Sequence, residues 1–420
     1  IAIGFQAMTV NTAGGTANLA IGNYALDALT SGDYNVGVGM NALSALTTGS
    51  YSTALGYEAL SAMTTSGYNV AVGYEAMKQG TTGAHNVAVG KAALSANNGG
   101  NNTALGHRSM ETNTTASDNV AVGYMSLHAN TTGTENVAVG NEALLTNTTA
   151  DGNTAIGHNS MLVNTVGFNL TAVGNRTLEA NTDGDYNTAI GAQALRANTT
   201  GVSNTALGDS ALKANTTGTR NIAIGVNAYD DSDTESDNLA IGYNALTTNT
   251  AGGSLNVAIG NYALDAVTSG DSNVAVGKGA GTLVNTGNHN VLVGKEAGDN
   301  ITSGDLNVMI GKNAKPSAAT TSEIVIGSST GKGDNTGYFY PGTGGAAYNG
   351  ENSTVWTQTS DRRLKKNIVN CDVGLAKINA IQIRNFEYKT KDEVEADDIL
   401  DKDQAILGKT GTQLGIIAQE

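Results

Sequence analysis

Proline occurs twice and cysteine once in this 420-residue chain, and aromatic residues make up only 5% of it. A lone cysteine, Cys371, excludes an intrachain disulfide and leaves no cysteine-based zinc pattern. So few bulky side chains exclude a large conventional globular core. No apolar run approaches the roughly 18 residues that a membrane-spanning helix needs, so no membrane insertion is expected, and no secretory signal opens the chain. Basic residues are also scarce in most of the molecule. Residues 360–420 hold 10 of the 22 Lys and Arg and 11 of the 37 Asp and Glu, which leaves −14 of the formal −15 on the remainder. Such an acidic body repels phosphate backbones and argues against nucleic-acid binding. Ile1 falls inside a repeat and Glu420 follows a strand-like segment without a closing signal, as expected of a piece of a longer polypeptide.

Glycine, by contrast, is plentiful at 55 residues, and much of it is periodic. A unit Asn-Val-Ala-Val-Gly, two variable residues, Ala-Leu and a turn rich in Asn, Thr and Gly recurs in steps of 16, 17 or 18 residues from Gly4 to Gly327. A period this short predicts one coil of a solenoid per repeat and excludes a conventional enzyme fold for residues 1–327. With strands about 4.8 Å apart, the coils predict a rod roughly 90 Å long.

In Asn119-Val120-Ala121-Val122-Gly123 the alternation is that of a short strand with one packed face. The residue before the glycine is aliphatic from Ile3 to Ile326 and is expected to build an apolar ladder along the shaft. Four residues after the glycine, Leu26, Leu43, Leu60, Met77 and their successors to Leu264 form a second ladder that closes the core. Ala121 and its equivalents are expected on the other side, where alanine admits another chain. On that reading each coil buries about three large aliphatics worth roughly 1.5–3 kcal/mol apiece, against about 1–2 kcal/mol for ordering each backbone, so association through alanine faces is expected. Asn four before the glycine, as at Asn69, Asn86 and Asn136, is either a stacked amide ladder or a turn residue. In turns such as Asn130-Thr131-Thr132-Gly133, glycine is expected to supply a positive φ. Asn113, Asn147 and Asn198 match the N-glycosylation acceptor, although turn chemistry accounts for them.

The Asn-Val-Ala-Val-Gly unit resembles the head repeats of trimeric autotransporter adhesins, which implies a parallel β-roll or triple β-helix that associates as a trimer. The repeats here are longer, the extra residues falling in the Asn-Thr-Thr-Gly turn.

After Leu264 the second ladder fails, with Gly281, Gly298 and Lys315 in its place, and a change of coil geometry is expected. Residues 328–359 leave the repeat and gather Tyr338, Phe339, Tyr340, Tyr348 and Trp356, either as the packed core of a small neck or tip or as a glycan-stacking receptor surface. At residue 360 the composition changes again. A helix is expected over 373–381, with strands over 383–388 and 414–419, giving an incomplete α+β domain over residues 360–420. Ser360-Asp361-Arg362-Arg363-Leu364-Lys365, then Phe386-Glu387-Tyr388-Lys389, then Gly415-Ile416-Ile417-Ala418-Gln419-Glu420 are similar to the intramolecular chaperone domain at the C-terminus of phage endosialidases and tail fibres. That resemblance implies trimer assembly followed by self-cleavage between Thr359 and Ser360, with Ser360 as nucleophile and Lys365 as base. Arg362, Arg363 and Lys366 crowd Lys365 and push its pKa in the required direction.

Other signals are weaker. The run Gly277-Lys278-Gly279-Ala280-Gly281 lacks the βαβ setting of a nucleotide loop. The five histidines fall at scattered phases of the repeat, so neither a metal nor a cofactor is expected. Paired Thr sit in turns, which suits a curved edge better than an ice-binding lattice. The sequence therefore reads as a homotrimeric fibre of a phage virion that reaches a host-surface glycan or protein receptor. Two alternatives are a bacterial trimeric surface adhesin and the non-catalytic part of a tailspike depolymerase.

Overall fold

A computed structural model describes residues 1–249, 252–317, 320–331, 333 and 336–339, with the backbone of four short strands beyond them. Two compact units result, Ile1–Thr359 and Ser360–Glu420.

The first unit is a parallel β-solenoid with about 19 turns of roughly 17 residues. Each coil contributes one short strand, from β1 (Ala2–Ile3) to β20 (Ile324–Ile326), and every strand pairs in parallel with the next at equivalent positions, as Val120 does with Val137 and Ala121 with Ala138. No helix occurs in the described part of the shaft. Beyond β20 the pattern turns over: β21 (Gly337–Phe339) still pairs in parallel with β20, but β22 (Ala347–Asn349) and β23 (Thr357–Gln358) continue as antiparallel strands.

The interior is the reverse of the sequence expectation. Ala121 is fully buried, whereas Val120 on one side of it is 37% exposed and Val122 on the other is partly exposed. The alanine therefore points into the coil and the β-branched residues point out. A coil this narrow has room opposite the leucine ladder for a methyl group but not for a branched side chain. What fills most coils is one large residue at the leucine position, such as Leu127, Leu144 or Met161, packed against alanines, joined in some coils by a second such as Leu29, Leu46, Met63 or Val267, not three large aliphatics.

Backbone conformation explains the narrowness. The repeat glycine Gly123 has φ +138°, and Met125 and Leu127 follow at φ 50° each. A Cβ on Gly123 would lie 2.3 Å from the carbonyl oxygen of Gly140, so both the φ and the close stacking of coils demand glycine. The turn glycine Gly133 does not have the positive φ expected of it. It is small because a Cβ there would meet the Ala150 carbonyl oxygen at 2.4 Å.

Both asparagine positions are ladders. Asn35 N donates to Asn18 Oδ1 and Asn136 N to Asn119 Oδ1, while each amide nitrogen reaches the turn carbonyl of the next coil, as Asn119 Nδ2 does to Gly133 O at 3.0 Å. A second column links side-chain amides directly: Asn130, Asn147, Asn164, Asn181, Asn198 and Asn215 each donate to the preceding Asn at 2.7–3.2 Å. These residues are fully buried, so Asn113, Asn147 and Asn198 cannot serve as glycan acceptors in the folded shaft.

Where leucine gives way to Gly281 and Gly298, the coil geometry does not change. Strand pairing continues in register, and the inner alanine is replaced by Leu292 and then Met309. A Cβ on Gly281 would come within 2.7 Å of Leu292 Cδ1, and one on Gly298 within 2.6 Å of Leu292 Cδ2. The core volume has moved to the opposite wall.

In the second unit, β24 (Arg384–Phe386) and β25 (Gln413–Gly415) form an antiparallel pair, overlapping the two strands expected there. The helix expected over 373–381 lies outside the described residues.

Candidate functional surface

With alanine inside, the positions one and three before each repeat glycine line one outer face of the shaft. From Ile1 to Ile326 these positions hold only Val, Ile, Leu and Thr, without a single charge, in a chain that is 14% charged. Ile3 is 59% exposed, Leu55 47% and Leu207 45%. Taken over the whole shaft, the face presents on the order of 1,000 Å² or more of apolar surface, against about 300–600 Å² for the largest patch of a typical monomer.

Aromatic rings border this face in the first coils. Tyr34, Tyr51, Tyr68 and His85 stack in one row with centroids 5.0–5.1 Å apart, and Tyr57 stacks on Tyr74 in another. The spacing is that of successive coils, so near-parallel rings contact one another only by slipping sideways.

A different row, five residues after the glycine, carries charges that the coil half buries. Burial works against the charge of Glu179, yet Arg176 and Arg196, each 2.8 Å away, hold its pKa below the usual value. Glu111 is treated alike by Arg108 and His128. Asp230 makes no ion pair among the described residues: burial first, and Asp231 second, push its pKa up to about 6 against the opposing charge of Lys213. Burial raises Asp27 and Asp265 in the same row. A groove of about 680 Å³ runs beside this row, floored by Ala180, Ala197 and Ala214 and flanked by Arg196, Lys213 and Asp230.

Coil 225–242 departs from the pattern in its interior. Tyr229 takes the leucine position, and its buried hydroxyl accepts from Asn238 Nδ2 and from Asn249 Nδ2, the latter at 3.0 Å. Glu235 stands where other coils have the turn glycine, and its carboxylate accepts from Ser232, Asp233, Thr234 and Gly252. Glu323 ends the first amide ladder, accepting from Ser317, Thr320 and Gly333. Sequence reasoning missed both carboxylates; their signal was a Glu at repeat phases that otherwise hold small residues in the one case and mostly Asn in the other.

Of the aromatic cluster beyond the repeat, Tyr338 is buried at the end of the shaft core and Phe339 is partly buried beside it. The side chains of Tyr340, Tyr348 and Trp356 lie outside the described residues, as do Thr359, Ser360 and Lys365. Among the described residues there is no group of three or more His, Cys, Asp or Glu arranged to hold a metal, and no helix long and apolar enough to cross a membrane. Residues 360–420 match the family described as chaperone of endosialidase. No curated protein and no solved structure matches the chain. The chain is thus a β-solenoid shaft followed by a domain similar to that chaperone family.

Proposed function

We propose that this chain is part of a homotrimeric phage tail fibre: a shaft over residues 1–327, a neck or tip over 328–359, and an assembly chaperone from residue 360 onward that cuts itself free. The observation that carries the reading is a chaperone-type segment following, in the same chain, a shaft whose outer face is apolar and uncharged along its length. An exposed face of that kind is a surface for partners. Its repeat at coil spacing is matched best by further copies of the same shaft, which corrects the expectation of contact through alanines. The role is mechanical reach and attachment to a host-surface receptor.

Cleavage would proceed within the chain. Lys365, the base that the family resemblance implies, takes the proton of the Ser360 hydroxyl and passes it to the departing Ser360 amine. The freed oxygen attacks the Thr359 carbonyl, the Thr359–Ser360 amide becomes an ester, and water hydrolyses it to a new carboxylate at Thr359 and a free amine at Ser360. A chaperone fits the topology, because a one-repeat slip between uniform shafts costs little and register needs an external reference. Once it leaves, the assembled shaft persists by a kinetic barrier.

The test is the intact mass of the full-length product beside its Ser360→Ala variant. A native chain ending at Thr359 with an uncut variant is expected. If both remain whole, the last domain is a permanent cap and Lys365 has no role as a base.

A further inference from the structure

Three consecutive coils near the end of the shaft carry lysine directly after the repeat glycine: Gly277-Lys278, Gly294-Lys295 and Gly311-Lys312. The preceding strands pair in register, Val276 with Val293 and Val293 with Ile310. The lysines therefore fall in one row, one coil apart, at the strand spacing of about 4.8 Å. Like charges in such a row repel. The fold does not require them, since Tyr124, Asn141, His158 and Ala192 occupy the same position in earlier coils.

Cations elsewhere on the shaft are mostly neutralised. Lys78 pairs with Glu58 and Glu75, Arg108 with Glu111, Arg220 with Asp237 and Lys315 with Asp299. In the lysine row only Lys295 has a carboxylate within reach, the half-exposed Glu296 at 3.2 Å. Lys278 and Lys312 make no ion pair among the described residues. Nearby carboxylates have partners within the chain. Asp271 accepts from Ser254 N, Asp305 from Asn288 N, and Asp299 is taken by Lys315.

We propose that Lys278, Lys295 and Lys312 form a track for a linear anionic polysaccharide of the host surface. The inference rests on the attachment reading above and names the receptor chemistry. A sugar in an extended chain advances by nearly one coil, so a polymer with a carboxylate on each residue can lie along the shaft and meet successive ammonium groups. The acidic remainder of the shaft repels such a polymer and confines it to this segment.

The test is binding of the full chain to polygalacturonate, which bears one carboxylate per sugar, with uncharged dextran as comparator. Binding of polygalacturonate alone, weakening as salt screens the charges, is expected. The combined Lys278→Gln, Lys295→Gln and Lys312→Gln variant should lose about ten-fold in affinity or more, while Lys91→Gln with Lys213→Gln should not. Equal binding by the triple variant, or none by the native chain, overturns the track. A triple variant that falls from oligomer to monomer also overturns it, by making the row a contact between chains. Host cells that adsorb the triple variant as well as the native chain overturn the track and leave the attachment reading standing. Loss of cleavage in Ser360→Ala is independent of all of these.

Discussion

At the residue scale, orientation within the strand decides what a substitution does. Ala121 lies between Ala104 and Ala138 in a fully buried column, so Ala121→Val should destabilise the shaft by about 1–3 kcal/mol through overpacking. Val120→Ala, one residue away and facing outward, should cost far less in the isolated chain. Denaturant unfolding of the two variants checks this, and equal losses would restore the alanine-outward arrangement. Backbone strain offers the opposite effect. Glu135 is exposed with φ 59°. A left-handed conformation costs an ordinary residue roughly 1–2 kcal/mol, and glycine's extra unfolded-state freedom returns about 0.5–1 kcal/mol of that. Glu135→Gly should therefore raise stability by about 0.5 kcal/mol, read as a higher melting temperature.

Ladders are the unit that matters at the element scale. Asn147 Nδ2 donates to Asn130 Oδ1 inside the shaft. Asn130→Ala strands that donor and interrupts the column, at about 1–3 kcal/mol for a buried unsatisfied group. Hydrogen exchange should show the loss concentrated in the coils flanking residue 130; a loss spread evenly along the shaft would mean the coils unfold as one unit. The half-buried charge row carries a pH signature. The pKa of Asp230 in the folded state, about 6, exceeds the ordinary carboxylate value of 3.8, so the folded chain binds the proton more tightly. Stability from this group rises as pH falls from about 6 toward 3.8 and is absent above that window. Asp230→Asn should raise the melting temperature at pH 7 and flatten its dependence on pH; an unchanged profile would mean that burial of this carboxylate is slight.

For the whole molecule, the consequence is association. Leu207→Lys combined with Val137→Lys places two charges on the outer face without touching the coil interior, where Ala138 and Ala206 remain buried. Native mass measurement should show a trimer for the parent and smaller species for the variant, with strand content by circular dichroism unchanged. A monomeric parent would remove the trimer reading. An unaffected trimer would place the contact on another face.

The sequence by itself determined the coil. The glycine spacing set one strand per repeat, the leucine column named one wall of the core, and the break after residue 327 marked where the solenoid stops being regular, because covalent periodicity fixes which residues share a side. It also carried the likeness of residues 360–420 to a chaperone family through several matching segments. Tertiary structure decided which side was inside. Alternation alone is symmetric between the Val-Val and Ala faces, and the choice depends on coil width, set by the closely stacked glycines and by left-handed residues such as Met125 and Leu127. The same dependence explains the exchange of Gly298 for Leu292: volume is conserved across a coil, not at a position. No local signal in the sequence reports that sum.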